Sequence, residues 1–218
     1  MARRRERASG SLRRNIDVRQ PRKTLLVFCE GERTEPEYLT GLSRLREVRD
    51  VAAVDIRIDR DSAGFSPLRL VRMAIEARDK NRREQGEIDE FWCVFDVEWP
   101  TNHTTLGDAV RLADKNGIHL AVSNPCFELW LVLHFADCDA WLDNDQARRL
   151  RRQHDGKLDK GLDPARYIPN RHVAAARALR LERRHAKDGT PSPHDNPSSG
   201  MHRLIGAVES VGGVRATG

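Results

Sequence analysis

No apolar run in this 218-residue chain approaches the ~20 residues needed to cross a bilayer. The arginine-rich start is not followed by an apolar segment, so it does not read as a secretory signal. Cysteine is scarce. Cys29, Cys93, Cys126 and Cys138 form no C-x-x-C pair, which argues against a zinc ribbon. Cys29 and Cys93 lie inside apolar runs, where a free thiol packs as a small hydrophobe, and this usage points to a reduced, cytoplasmic protein. The sequence shows no Walker A loop, Rossmann glycine pattern or Ser/His/Asp triad, so it carries no visible ATPase of its own. Only two tyrosines occur, Tyr38 and Tyr167, and neither sits on a separate domain that could supply a topoisomerase-like nucleophile.

What is abundant is charge, at 33% of residues, with a formal net charge of +5. It is unevenly spread. Residues 1–23 hold nine Lys and Arg against Glu6 and Asp17, so the overall basicity belongs to this segment and the rest of the chain is slightly acidic. We read residues 1–23 as a disordered basic arm, either a phosphate-backbone grip or a solvated leader. The length suits one large domain or one domain with an elaboration.

From Thr24 the pattern changes. TLLVFCE (24–30) reads as a buried strand, and Thr34 with Glu37 forms a capping-box pattern at the start of a helix carrying Leu39, Leu42 and Leu45. Val54–Ile58 alternates as a second strand, nearer an edge. Ser66-Pro67 starts a helix with a Leu68, Val71, Ala74, Ile75 stripe. EFWCVFD (90–96) is the clearest strand. A helix from about Thr105 to Lys115 stops at Gly117, and Ile118–Ser123 is a fourth strand. This alternation implies an α/β fold with a mainly parallel sheet flanked by helices. Phe127–Phe135 reads as a buried helix, Trp141–Lys187 as basic and helical, residues 188–199 as a loop, and Met201–Val211 as a terminal helix.

Ligands of open α/β sheets bind beyond the carboxyl ends of the strands. Glu30, followed by Gly31, closes the first strand, and Asp96 and Glu98 close the third. Residues i and i+2 of an extended segment point to one side, so Asp96 and Glu98 can aim at one point, and Glu30 joins them if the two strands are neighbours. Three carboxylates sharing a small volume need a cation or a raised pKa. Oxygen donors without Cys or His favour Mg²⁺ or Mn²⁺. The other reading is solvated loop acids and helix caps. Glu128, on an otherwise apolar helix at the same sheet end, needs a partner, either this cluster or an arginine. Asn124 caps that helix or orients Glu128. His103 is a general base, a phosphate contact or a solvent-exposed loop residue. His134, Phe127 and Trp130 read as core.

The run VFCEGERTEPEYLTGL resembles the first motif of a TOPRIM domain, and FDVE resembles the second, usually Asp-x-Asp. AVSNPCFELWLVLHF and the later NPSSGMHRLI further resemble the RloB family, TOPRIM-like proteins of bacterial anti-phage loci. The resemblance runs from Lys23 to about Ile205. It implies a TOPRIM-like α/β domain over 24–140 and a basic helical C-terminal extension over 141–218 packing on it. It also implies an Mg²⁺-dependent nuclease with catalytic and metal-binding residues Glu30, Asp96 and Glu98, the last standing where a second Asp is usual. Glu35 is an additional ligand or simply a first-turn acid favouring the helix dipole. With Glu128, it completes the candidate metal set. Arg148, Arg152, Arg177, Arg180 and Arg184 are candidate nucleic-acid contacts, with DNA or RNA as the partner. An AAA-type ATPase partner is implied by the family alone. A non-catalytic regulatory or scaffold subunit is the alternative.

Overall fold

The computed structural model describes residues 23–51, 54–101, 103–156, 161–190 and 193–209. The expected basic arm therefore lies outside the described residues except for Lys23. That residue is already part of the first strand, with Nζ 2.6 Å from Glu90.

Among the described residues, five strands form one sheet in the order β2-β1-β3-β4-β5. β1 (Lys23–Cys29), β2 (Val54–Asp59), β3 (Glu90–Asp96) and β4 (His119–Asn124) are parallel. β1 and β3, the most continuously apolar segments, occupy the middle, and the alternating β2 takes an edge. The fifth strand, β5 (Ser198–Ser199), runs antiparallel to β4 within the segment read as a loop. Two residues carry no readable periodicity, so only the tertiary pairing of Ser199 with Ser123 and Ser198 with Asn124 defines them. Gly200 makes this approach possible, since a Cβ there would stand 3.0 Å from the Val122 nitrogen.

Strand side chains divide between two cores with period two. Leu25, Val27, Cys29, Trp92 and Val94 face one core. It is filled from α1 (Thr34–Ser43), α4 (Phe127–Leu133), α5 (Asn144–Asp155), the short α6 (Pro164–Tyr167), α7 (Arg171–Lys187) and α8 (Met201–Glu209). Phe28, Phe91, Cys93 and Phe95 face the other, closed by α2 (Pro67–Arg83) and α3 (Leu106–Asn116). The C-terminal helices thus contribute Ala174, Ala178, Leu181, Leu204 and Ile205 to the same core as the central strands. The α/β class, the mainly parallel sheet and the helical C-terminal part agree with the sequence expectation. None of the helices in the described residues is long and apolar enough to cross a membrane. All four cysteines are free and buried.

Local expectations differ at two caps. The Thr34/Glu37 capping box does not form. Helix α1 begins after Arg33 without a side-chain cap, and Glu37 instead accepts the Leu162 backbone N–H at 2.6 Å. A donor from a distant loop outcompetes the local one. Asn124 does not cap α4, whose N-cap is Cys126. Its side chain instead donates to the Pro193 carbonyl and accepts from Asn196, tying the 193–197 loop to the end of β4.

Candidate functional site

The site is built where β1 and β3 end side by side. Cys29 pairs with Val94 in register, and the next residue, Glu30, donates its N–H to the Val94 carbonyl at 3.0 Å. The Glu30 carboxylate then turns back and accepts the Asp96 backbone N–H at 3.1 Å. The chain reverses at Gly31 into α1. A Cβ on Gly31 would meet Glu35 Oε2 at 1.9 Å, so glycine here leaves the space that the Glu35 carboxylate occupies. Glu35 is buried, pointing inward from the first turn of α1.

Burial and mutual repulsion dominate the electrostatics. Asp96 Oδ1 is a buried oxygen with no hydrogen-bond donor among the described residues. Burial first, then the negative charges of Glu35, Glu128 and Glu30, push the Asp96 carboxyl well above the usual carboxylate range, opposed by the Phe127 backbone N–H. Burial pushes Glu30 up to about 7, with Glu98 adding to the rise and the Asp96 N–H opposing it. His103 Nε2 lies 2.9 Å from Glu30 Oε1 and 3.9 Å from Glu98 Oε2, without the orientation of a hydrogen bond to either.

Glu98 departs from the extended geometry that would align it with Asp96. β3 ends at Asp96, and Glu98 takes φ +60, a conformation that L residues rarely adopt. Its carboxylate is 44% exposed and looks toward His103 from the rim, while Asp96 sits deep. The i, i+2 argument fails because the strand stops before its second residue.

These acids line a cleft of about 480 Å³ together with Arg148 and the Gly64–Ser66 turn. All five candidate metal residues, Glu30, Glu35, Asp96, Glu98 and Glu128, face it. No three Asp, Glu, His or Cys side chains among the described residues are already arranged to hold an ion. In chemical type the donors suit a hard cation, and the donorless Asp96 oxygen is the atom that such an ion would satisfy. Of the two partners anticipated for Glu128, an arginine is present, with Arg151 3.9 Å from Oε1, and the side chain also lines the cleft.

The arginines separate into groups. Arg148 alone of the five candidates lines the acidic cleft. Arg152 is exposed one turn further along α5. Arg177 lies at the other end of α4, donating to the Leu133 carbonyl and to Asp137. Arg180 also donates to Asp137, and Arg184 donates to Asp139. Arg151 was not a candidate and is the most buried of the cluster. It pairs with Asp155 at 2.9 Å, and Asp155 also accepts the Tyr167 hydroxyl. Sequence reasoning weighed His103 without placing it. Its adjacency to Glu30 follows from the path of the loop after β3, which no local pattern encodes.

Tyr38 and Tyr167 are fully buried, so neither hydroxyl is open to a substrate. His134 is a satisfied core residue. Its two ring nitrogens meet the Tyr38 hydroxyl at 3.1 Å and the Trp130 carbonyl at 2.8 Å, and burial holds its pKa down at about 4.

A search of curated proteins and a search of solved structures each returned no match to this chain. A family model described as RloB-like protein matches residues 25–208, which include both acidic strand ends, the cleft and helices α1 to α7 with most of α8, and on that match the chain belongs to the RloB family.

Proposed function

We propose that this protein is a metal-dependent nuclease that hydrolyses nucleic-acid phosphodiester bonds. The observation that carries the reading is the donorless buried oxygen of Asp96, held among Glu30, Glu35 and Glu128 at the ends of β1 and β3. Packing carboxylates this way costs stability unless a cation or protons neutralise them. Glu30, Asp96 and Glu98 are the residues to hold Mg²⁺ or Mn²⁺, with Glu35 and Glu128 as further oxygen donors. When bound, such an ion supplies charge neutralisation at the scissile phosphate and lowers the pKa of a water.

The chain's own groups divide the remaining work. Arg148 faces the acids across the cleft and suits a phosphate oxygen of the substrate. Glu30, raised to about 7 by burial, is able to take up a proton near neutral pH, with His103 Nε2 2.9 Å from its carboxylate. Arg152 extends the phosphate contact outward, while Arg177, Arg180 and Arg184 offer a more remote basic patch. Family membership supports a cytoplasmic role in bacterial anti-phage defence with an AAA-type ATPase partner, which the chain itself does not supply.

One observation favours a second reading, a non-catalytic regulatory or scaffold subunit. Glu98 replaces the usual Asp, takes an unusual backbone conformation and leaves the acids without a ready coordination set among the described residues. Cleavage of DNA and RNA by the full chain, with and without Mg²⁺ and with Asp96→Asn as control, separates the two. The nuclease reading expects metal-dependent cleavage that the variant lacks.

A further inference from the structure

Two of the chain's four tryptophans are core residues, Trp92 and Trp130. The other two are not. Trp99 is 37% exposed and Trp141 is 51% exposed, and they touch each other. Their rings meet edge to face, with centroids 5.7 Å apart and planes at 87°. An edge-to-face pair uses one ring's edge and one face of the other, leaving further aromatic faces open to solvent.

The backbone beside both rings is anchored. Trp99 directly follows Glu98, and its carbonyl accepts the Asn144 N–H at 3.2 Å, which fixes the start of α5 against the turn after β3. Trp141 precedes the buried Leu142, whose N–H and carbonyl are both bonded to the Asn196 side chain, at 3.0 and 2.7 Å. Arg148, one turn along α5 from Asn144, lines the acidic cleft. Trp99 is thus the chain neighbour of the cleft residue Glu98 and is bonded to the first residue of the helix that carries Arg148.

We propose that Trp99 and Trp141 form a stacking platform for unpaired bases, so that the substrate of the acidic cleft is single-stranded or locally unpaired nucleic acid. This inference deepens the nuclease reading and rests on it. A duplex hides its base faces, whereas an unpaired base offers a π-face to any aromatic ring, whatever its sequence. A strand lying on the platform presents its phosphates to Arg148 and, beyond it, to the carboxylates. The pair fixes which form of nucleic acid enters, and the acids act on it.

The test uses the full chain and its own fluorescence, because Trp92 and Trp130 are shielded and the exposed pair dominates any quenching. A short single-stranded oligonucleotide and the same sequence as a duplex are titrated at fixed salt. The single strand is expected to quench and to bind more tightly than the duplex. Trp99→Ala and Trp141→Ala should each weaken single-strand binding by about 5- to 150-fold, the range of one lost base stack, while Trp141→Phe retains most of it. Melting curves confirm that the variants fold. Tight single-strand binding that survives the double Ala variant, or a preference for the duplex, overturns the platform and leaves the nuclease reading standing. A wild-type protein that binds neither form overturns both. Self-association that disappears in the double variant, seen by light scattering with unchanged oligonucleotide binding, assigns the patch to a second copy of the chain and also overturns the platform.

Discussion

Glu30 Oε2 accepts the Asp96 backbone N–H at 3.1 Å, so the carboxylate that ends β1 is tied to the last residue of β3. The bond holds Glu30 within reach of Asp96 and places it in the low-dielectric end of the sheet, where burial pushes it up to about 7. The consequence for stability has a definite sign. Between pH 4.5 and about 7 the folded metal-free protein keeps a proton on Glu30 that the unfolded chain has released. The native state binds more protons, so stability falls as pH rises through this window, and the Glu30 contribution levels off above it. Asp96, raised in the same direction, adds to the slope. Melting temperatures across this range should decline in wild type and decline less in Glu30→Gln, which keeps an acceptor for the Asp96 N–H. Added Mg²⁺ should raise the melting temperature only toward the upper end, where the carboxylates are ionised.

Gly31 and Glu35 compete for one space. Because a Gly31 Cβ would stand 1.9 Å from Glu35 Oε2, Gly31→Ala must drive that carboxylate out of the cleft. The group that must move is the end of a flexible side chain, so the expected cost is about 1 kcal/mol, the low end of overpacking. Gly31→Ala combined with Glu35→Ala should recover most of it, measured by urea denaturation. Single variants that are additive in the double would contradict the contact.

Arg148 and the α7 arginines should behave differently. Arg148→Ala removes the one candidate arginine at the cleft and should lower nucleic-acid affinity and reduce the salt slope by about one phosphate contact, 0.7–0.9 in log–log terms. The double reversal Arg180→Glu with Arg184→Glu breaks solvent-exposed pairs with Asp137 and Asp139, which water screens. It should shift affinity less than Arg148→Ala does. Filter binding over a salt series measures both.

Arg151 is a structural counterpart to Arg148 on the same helix. Its removal takes the charged partner from Asp155, whose side chain is 1% exposed and keeps the Tyr167 hydroxyl. Arg151→Ala should therefore destabilise by about 3–5 kcal/mol, the cost of breaking a buried pair from one side. Arg148→Ala should leave denaturation midpoints nearly unchanged.

The parts of this fold legible in the sequence are those with long, regular patterns. β1 and β3 announced themselves as apolar runs with acids at their ends, Ser66-Pro67 marked the start of α2, and Gly117 marked the end of α3 in a left-handed conformation. What stayed hidden depends on partners distant in sequence. The Leu162 N–H takes Glu37 from its local cap, Asn196 takes Asn124, and Asp137 and Asp139 take up Arg177, Arg180 and Arg184. The turn at Glu98 has φ +60 and no glycine to signal it, so its displacement from Asp96 could not be read. The Trp99–Trp141 contact joins two loops that no periodicity links.

The most direct test of the central claim is a cleavage assay of the full chain on single-stranded and duplex DNA and RNA. It is run with Mg²⁺, Mn²⁺ or chelator, for wild type and Asp96→Asn. The variant replaces a buried carboxyl that repulsion disfavours in its charged form with a neutral amide of the same shape, so it should melt no lower than wild type, and any loss of activity belongs to the site rather than the fold. The account predicts cleavage that requires the divalent ion and falls to background in Asp96→Asn. Cleavage that persists unchanged in Asp96→Asn or in chelator would contradict it. So would no cleavage of any substrate by a wild-type protein whose melting temperature Mg²⁺ does not raise.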